Sequence, residues 1–304
     1  MGVVRLRLDG GACTAAGYDG RVQRERGLNS WVWLVPLRTP TLPPAMTTNT
    51  LVVGSERLVV IEPATPHDDE RRVLDDLLER LLAQGRRIEA IAVTHHHPDH
   101  VGCVEAMQDR WGVPVWAHAE TAKRVDFTVD RELVDGDTIA LGDGVELEAV
   151  FTPGHAPGHL VFVERRSQIA YAGDMVAGEG TILIDPADDG DMAAYLSSLQ
   201  RLDACEARQM VPSHGPVIER PKAVLDRYMS HRLQREAKVL DAIEPGGTPI
   251  GDVLSGAYAD TPLHLWPLAA RSLEAHLRKL EGEGRVVRDG SRVCRVIESV
   301  ESCF

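Results

Sequence analysis

Six consecutive residues, His95-His96-His97-Pro98-Asp99-His100, concentrate the chain's capacity for chemistry. The apolar run 88–93, broken only by Glu89, reads as a buried strand that ends at this cluster. A helical pattern follows from Val101 to about Arg110, so the potential ligands crowd a strand-to-helix turn. His95 and His97 stand two apart and point to the same side of an extended segment. Asp99 and His100 open the helix, where they can turn towards a second point. Neutral imidazoles beside carboxylates suit zinc or a similar divalent ion. A histidine-rich surface turn is the plain alternative. His96 points away from His95 and His97 and is expected to be structural.

Other strands end in the same way. Residues 145–152 lead into Pro153-Gly154-His155, 169–172 into Gly173-Asp174, and 209–212 into Ser213-His214-Gly215. Strand ends that repeatedly deliver a His or an Asp describe a site at one edge of a sheet sandwich. His159, four residues beyond His155, is expected to support ligands rather than to be one. His67 and His118 follow no ligand spacing. Five scattered cysteines with no Cys-x-x-Cys argue against a disulfide framework and against a cysteine zinc site. Cys103 invites a ligand reading, but a small apolar residue on a helix is the commoner role.

The elements that must position these residues alternate between strand and helix. Strands are expected at 3–8, 31–37, 49–53, 57–61 and 113–118, with a hairpin turn at Gly54-Ser55-Glu56. Pro40, Pro43 and Pro44 fix an irregular loop. A helix over 68–84 places Leu74, Leu77, Leu78, Leu81 and Leu82 on one face. A polar helical stretch starts at Glu120, 161–164 pairs with 169–172, and a helix covers 191–203. From Pro221 come a long helix, a short one at 250–257, an amphipathic one at about 268–281 and a closing strand pair. This reads as a small winged-helix-like domain and divides the chain into 1–220 and 221–304.

With 304 residues, 43% hydrophobic and 26% charged, the chain has the composition of a soluble globular protein. No run approaches the roughly 18 apolar residues of a transmembrane helix, so no membrane partner is expected. The first residues lack the apolar core of a secretory signal, and Leu6 stands where a myristoylation signal wants Ser or Thr. A cytoplasmic address is the expectation. The net charge of −13 disfavours a long nucleic-acid track, though not a local basic pocket.

The order His95-x-His97-x-Asp99-His100, then His155 in a TPGH turn, Asp174 in a GD turn and His214 before Gly215, resembles the dinuclear hydrolase branch of the metallo-β-lactamase superfamily. The resemblance implies an α+β fold, an αββα sandwich over roughly 28–220 with its metals at one edge. AGDMVAGEGT, HGPVI and YMSHRLQREAKVL are similar to the beta-lactamase-like protein 2 family. Its members include a mitochondrial single-strand endoribonuclease and fungal polyketide-releasing thioesterases. Two divalent ions are implied, zinc first, with iron or manganese as the other options. His95, His97 and His155 would bind one, Asp99, His100 and His214 the second, and Asp174 would bridge. Two such ions about 3.5–4 Å apart share a hydroxide that exists at neutral pH. Asp99 would hold it and pass a proton to the leaving group.

The chain departs from the pattern at Glu62, where the superfamily usually has a supporting Asp, and at Ala64, where Gly is usual. Pro98 disfavours a tRNA-maturation nuclease, which usually carries Gly there. Asp174 stands where periplasmic β-lactamases commonly have Cys, and His97 where an oxygen-reducing di-iron relative would carry Glu. Glu179 either lines the substrate mouth or belongs to a flexible connector. The resemblance places His231 and Arg232 towards an anionic part of the substrate; Arg232 and Glu236 would otherwise pair along their helix.

From His231 to Phe304 there are 10 Lys or Arg against 11 Asp or Glu, so the C-terminal domain has no general basic face. A lid or wall on the cleft is its simpler role, with a homodimer contact as another. Trp266 reads either as a substrate-facing lip or as core. The expected activity is metal-dependent hydrolysis of an ester or thioester, on a small-molecule, acyl-carrier or acyl-coenzyme substrate. Cleavage of single-stranded RNA is the alternative; a non-catalytic metal-stabilised scaffold is the alternative of another class.

Overall fold

The computed structural model describes residues 25–178 and 180–296. The strand expected at 3–8 lies outside the described residues, as does Glu179. The first sheet runs in chain order through β1 (Arg26–Asn29), β2 (Val32–Arg38), β3 (Thr47–Val53), β4 (Arg57–Ile61), β5 (Arg87–Ala92), β6 (Val115–Ala117) and β7 (Arg131–Glu132). Its pairs are antiparallel up to β4 and parallel from β4 onward. The second sheet is built from β8 (Thr138–Ala140), β9 (Glu146–Phe151), β10 (Leu160–Glu164), β11 (Ile169–Gly173) and β12 (Gln209–Pro212), in the order β12-β11-β10-β9-β8. Only its β11–β12 pair is parallel.

Strand alternation divides the apolar side chains between three layers. Leu34, Leu51, Val53, Val59, Ile61, Ala90 and Ala92 point inward to Leu160, Phe162 and Tyr171 of the facing sheet. The intervening Val35, Leu37, Val52, Leu58, Val60 and Ile91 meet α1 (Asp68–Ala83) through Leu74, Leu77, Leu78 and Leu81. On the far side, Val161, Val163, Ala170 and Ala172 pack against later helices. Both faces of each central strand are buried, so these strands read as nearly continuous apolar runs. The result is the αββα sandwich expected from the resemblance.

The helix expected from Val101 to Arg110 is broken in two. α2 (Pro98–Val101) stops at Gly102, and α3 (Val104–Trp111) restarts after Cys103. Cys103 N leaves the helical ladder and donates to Pro63 O at 2.8 Å. A Cβ on Gly102 would lie 2.6 Å from Ala64 O, so only glycine permits this approach. Cys103 itself is buried in the outer core, and burial pushes its thiol up to about 12, which suits a packing residue. The stretch after Glu120 amounts to one turn, α4 (Ala119–Ala122), where His118 Nδ1 accepts from Glu120 N at 3.1 Å.

α5 (Met192–Asp203) covers the second sheet through Met192, Tyr195, Leu199 and Leu202. α6 (Pro221–Asp241) belongs to two cores: Leu225 and Tyr228 join that layer, while Val239 joins a separate C-terminal core. The latter is completed by α7 (Ile250–Ala257), α8 (Trp266–Gly282) and a sheet of β13 (Thr248–Pro249), β14 (Val286–Asp289) and β15 (Arg292–Arg295). Helices followed by a hairpin make the winged helix. β13, two residues long and half proline, leaves no readable strand pattern. Among the described residues no helix is long and apolar enough to cross a membrane.

Candidate metal centre

Strand ends at one edge of the sandwich supply the cluster. β5 hands over to Thr94 and His95, β9 to the turn with His155, β11 to Asp174, and β12 to His214. The two sheets are stitched together here: Leu160 N donates to Thr94 O at 2.9 Å and Asn49 N to Ser213 O at 2.8 Å.

Three imidazoles form the first group. His95 Nε2 lies 2.9 Å and His155 Nε2 3.0 Å from His97 Nδ1. Nitrogens held tetrahedrally at about 2.0–2.1 Å from one ion would stand only slightly farther apart, at about 3.3–3.4 Å. The outward nitrogens of His155 and His95 are hydrogen-bonded, and that of His97 stands beside a carboxylate without an aligned hydrogen bond. His155 Nδ1 donates to Leu183 O at 2.9 Å, His95 Nδ1 is 2.9 Å from Thr94 Oγ1, and His97 Nε2 is 2.9 Å from Asp188 Oδ2. A carbonyl only accepts, so His155 carries its proton on Nδ1 and turns a lone pair inward. Burial first, and the neighbouring imidazoles second, push His95 and His155 well below the ordinary histidine pKa. Neutral rings with inward lone pairs are ligands in waiting.

Asp99, His100 and His214 form the second group, their ligand atoms within 4.8 Å of one another. Asp99 Oδ1 is 3.5 Å from His100 Nε2 and Asp99 Oδ2 is 3.6 Å from His214 Nε2. His214 Nδ1 donates to Thr47 O at 3.1 Å, which again leaves Nε2 facing in. Asp174 stands between the groups. Its Oδ2 is 3.4 Å from His155 Nε2 and 3.7 Å from His100 Nε2, and its Oδ1 is 3.4 Å from His214 Nε2.

The buried His100 Nε2 and Asp174 Oδ1 have no hydrogen-bond partner among the described residues. A buried polar atom left bare costs about 1–3 kcal/mol, more if charged. Atoms that converge without partners, from imidazoles and carboxylates, fit a divalent cation.

Beneath this group sits Glu62, fully buried, with backbone φ of 54°. Its Oε2 lies 3.0 Å from His100 Nδ1 and accepts from Ser213 Oγ at 2.8 Å and from Tyr171 OH; its Oε1 accepts from Thr94 Oγ1. Burial pushes the carboxyl up, but His100 and these hydrogen bonds outweigh it and hold Glu62 at about 2. Burial likewise opposes charge on His100, yet Glu62, Asp174 and Asp99 raise it to about 10. This half of the site therefore demands positive charge. The departure at residues 62–64 is resolved at Glu62, which takes the left-handed backbone itself, while Ala64 packs fully buried at ordinary φ.

All seven residues of the expected ligand set, His95, His97, Asp99, His100, His155, Asp174 and His214, are brought together. His159 lies behind them: its Nδ1 is 2.9 Å from Thr152 Oγ1, and its Nε2 accepts from Asp174 N at 3.1 Å. His96 lies at the rim, its Nε2 3.7 Å from Asp188 Oδ1. Arg232 is buried, with its guanidinium donating to Ile182 O and lying 5.4 Å from the Tyr195 ring centre. It does not pair with Glu236, whose carboxylate meets Lys279 Nζ at 2.7 Å and Arg285 Nη1 at 3.1 Å. His231 is exposed on the neighbouring position of α6. Sequence reasoning missed Asp188, Thr94, Tyr171 and Ser213, and the carbonyls of Thr47 and Leu183. Only Asp188 had a local signal, a Pro186-Ala187-Asp188-Asp189-Gly190 turn within the loop after Asp174.

Residues 42–214 match the family model described as Metallo-beta-lactamase superfamily, and residues 250–293 match the Beta-lactamase associated winged helix domain. A Beta-lactamase-like protein 2 homolog of Drosophila melanogaster is 30% identical over 260 residues, covering 80% of this chain and 86% of that protein. An Atrochrysone carboxyl ACP thioesterase of Aspergillus fumigatus is 29% identical over 200 residues, 65% of this chain and 60% of its own length. Among solved structures, a metallo-beta-lactamase family protein from Thermus thermophilus shares the fold with a TM-score of 0.71 at 23% identity, covering 89% of this chain and all (100%) of that one. With the winged helix in place behind a sandwich of this topology, the chain belongs to the metallo-beta-lactamase superfamily of metal-dependent hydrolases.

Proposed function

We propose that this hydrolase works with two divalent ions, zinc first, and cleaves an ester or thioester, of the kind that joins an acyl group to a carrier or coenzyme. The observation that carries the dinuclear reading is Asp174, whose two oxygens each stand 3.4 Å from a histidine of a different group. In this reading His95, His97 and His155 would hold one ion and Asp99, His100 and His214 the other, with Asp174 placed between the two groups. The catalytic unit spans 1–220 and the helical unit 221–304, with α6 shared between their cores.

When bound, such ions supply a nucleophile at neutral pH and polarise the oxygen under attack. The chain supplies the rest. Glu62, Asp188 and Thr94, with the Leu183 and Thr47 carbonyls, fix which nitrogen each imidazole presents. Asp99 is held as a carboxylate: burial raises it, but His100, a hydrogen bond from Thr41 and His214 lower it below the ordinary value. One of its oxygens takes the proton of the attacking water and returns it to the leaving sulfur or oxygen, so the acyl–sulfur or acyl–oxygen bond breaks to give a carboxylic acid and a thiol or an alcohol. His231, exposed on α6, is the candidate to meet an anionic part of the substrate.

Two facts support carbonyl chemistry: relatives named as carrier-protein thioesterases, and a net charge of −13 that repels a polyanion. The test compares thiol release from an acyl thioester with cleavage of end-labelled single-stranded RNA, using metal-loaded wild type and Asp99→Asn. Thiol release is expected, falling by about 10²–10⁴-fold in the variant. RNA cleavage that depends on Asp99, without thioester turnover, would replace this reading with a nuclease. Metal binding without turnover of either substrate would favour a scaffold.

A further inference from the structure

The loop from Asp174 to α5 does more than deliver one ligand. Leu183 O takes the outward proton of His155, and Asp188 Oδ2 faces the outward nitrogen of His97. Two of the three imidazoles in the first group are therefore aimed by one short segment, 182–188. That segment is closed on itself at its far end. Gly190 N and Asp188 N both donate to Asp185 O, at 2.8 and 3.0 Å, and Ala187 N donates to Asp185 Oδ1 at 3.0 Å. Asp188 thus projects from a rigid turn.

Three arginines of the C-terminal helices grip the same segment from behind. Arg232 of α6 donates to Ile182 O, one residue before Leu183. Arg271 Nη1 of α8 meets Asp185 Oδ2 at 2.9 Å, and Arg278 Nη1 of α8 donates to Pro186 O at 3.3 Å. The contacts to the histidines and the contacts to the helices alternate along the strap: 182 back, 183 forward, 185 and 186 back, 188 forward.

We infer that α6 and α8 act as a brace that positions His97 and His155 through the 182–188 strap, so that the C-terminal domain sets the metal affinity of the first group. Arg271, Arg278 and Arg232 are positioning residues in this account; none touches the site itself. The inference rests on the ligand assignment made above. It makes the winged helix part of the metal site's support and gives it a purpose that does not require nucleic acid.

Arg271 and Arg278 have more than half their side chains exposed (56% and 57%), so their replacement spares the core. The experiment measures metal affinity by chelator competition, and amide hydrogen exchange over 182–190, in four proteins and a rescue variant. These are wild type, Arg271→Ala/Arg278→Ala, Asp188→Ala, and the triple variant; Arg271→Lys/Arg278→Lys serves as rescue. Removing a partner of a ligating histidine typically lowers metal affinity about 10–100-fold, so Asp188→Ala is expected in that range and the arginine pair near its lower end, about 10-fold. Exchange over 182–190 should quicken in the arginine variant, and the lysine pair should restore both readouts. In the triple variant the two losses should fall short of the product of the single effects, because both act on one element. A lowered Tm with unchanged metal affinity and unchanged exchange, or fully multiplicative losses, would overturn the brace. Wild type that binds no metal would instead overturn the ligand assignment, and the brace with it.

Discussion

Glu62 and His100 face each other across 3.0 Å at the floor of the site, and neither has contact with solvent. Each holds the other in its charged form against burial, which is why Glu62 sits at about 2 and His100 at about 10. A metal ion on His100 Nε2 would take over the proton's part in that balance.

Glu62→Gln keeps the size of the side chain and removes its charge. Metal affinity is expected to fall by about 10–100-fold, the usual cost of losing a carboxylate that supports a ligating histidine. The metal-free protein should also lose stability, by about 3–5 kcal/mol if His100 stays charged and less if it deprotonates. Chelator competition and thermal unfolding of the stripped protein read the two effects separately. Unchanged metal affinity would mean that Glu62 serves the fold alone.

Gly102→Ala tests the break between α2 and α3. The added Cβ would sit 2.6 Å from Ala64 O, so the loop after β4 must retreat or α2 must tilt. Overpacking of this kind costs about 1–3 kcal/mol. Because Asp99 and His100 ride on α2, a drop in metal retention should accompany the lower Tm. A variant with wild-type Tm would show that the segment relaxes freely.

Acid stability has a specific contributor in the C-terminal domain. Burial raises the Glu236 carboxyl, but the neighbouring His276 ring and the hydrogen bond and charge of Lys279 outweigh it and hold Glu236 at about 2. A folded-state pKa below the ordinary 4.5 means stability that is present above pH 4.5 and lost as the pH falls towards 2. Partial solvent screening limits the effect to something of the order of 2 kcal/mol. The Tm gap between wild type and Glu236→Gln should therefore be widest near pH 6 and narrow steadily below pH 4.5. A gap independent of pH would remove Glu236 from the account of acid unfolding.

The convergence of the proposed ligand residues was legible because they sit at strand ends or in the turns just after them, and residue type and place are both local properties. His97-Pro98-Asp99-His100 could be read on sight. What supports the ligands could not. The Leu183 and Thr47 carbonyls are backbone atoms and carry no residue signal, and Tyr171 looks from its strand position like any inward aromatic. Asp188 reaches His97 only because a loop far along the chain closes on itself and turns the carboxylate back towards the site. The break at Gly102 was hidden for the same reason, since the atom that enforces it, Ala64 O, comes from another loop. Arg232 and Glu236 have the spacing of a helical pair, and tertiary partners took both.

The most direct test of the central claim is metal stoichiometry after exhaustive dialysis, measured on wild type, His155→Ala and His214→Ala by elemental analysis. Two ions per chain are predicted for wild type, with one lost in each variant, because His155 and His214 lie on opposite sides of Asp174. A single ion in wild type that either substitution removes would contradict the dinuclear centre.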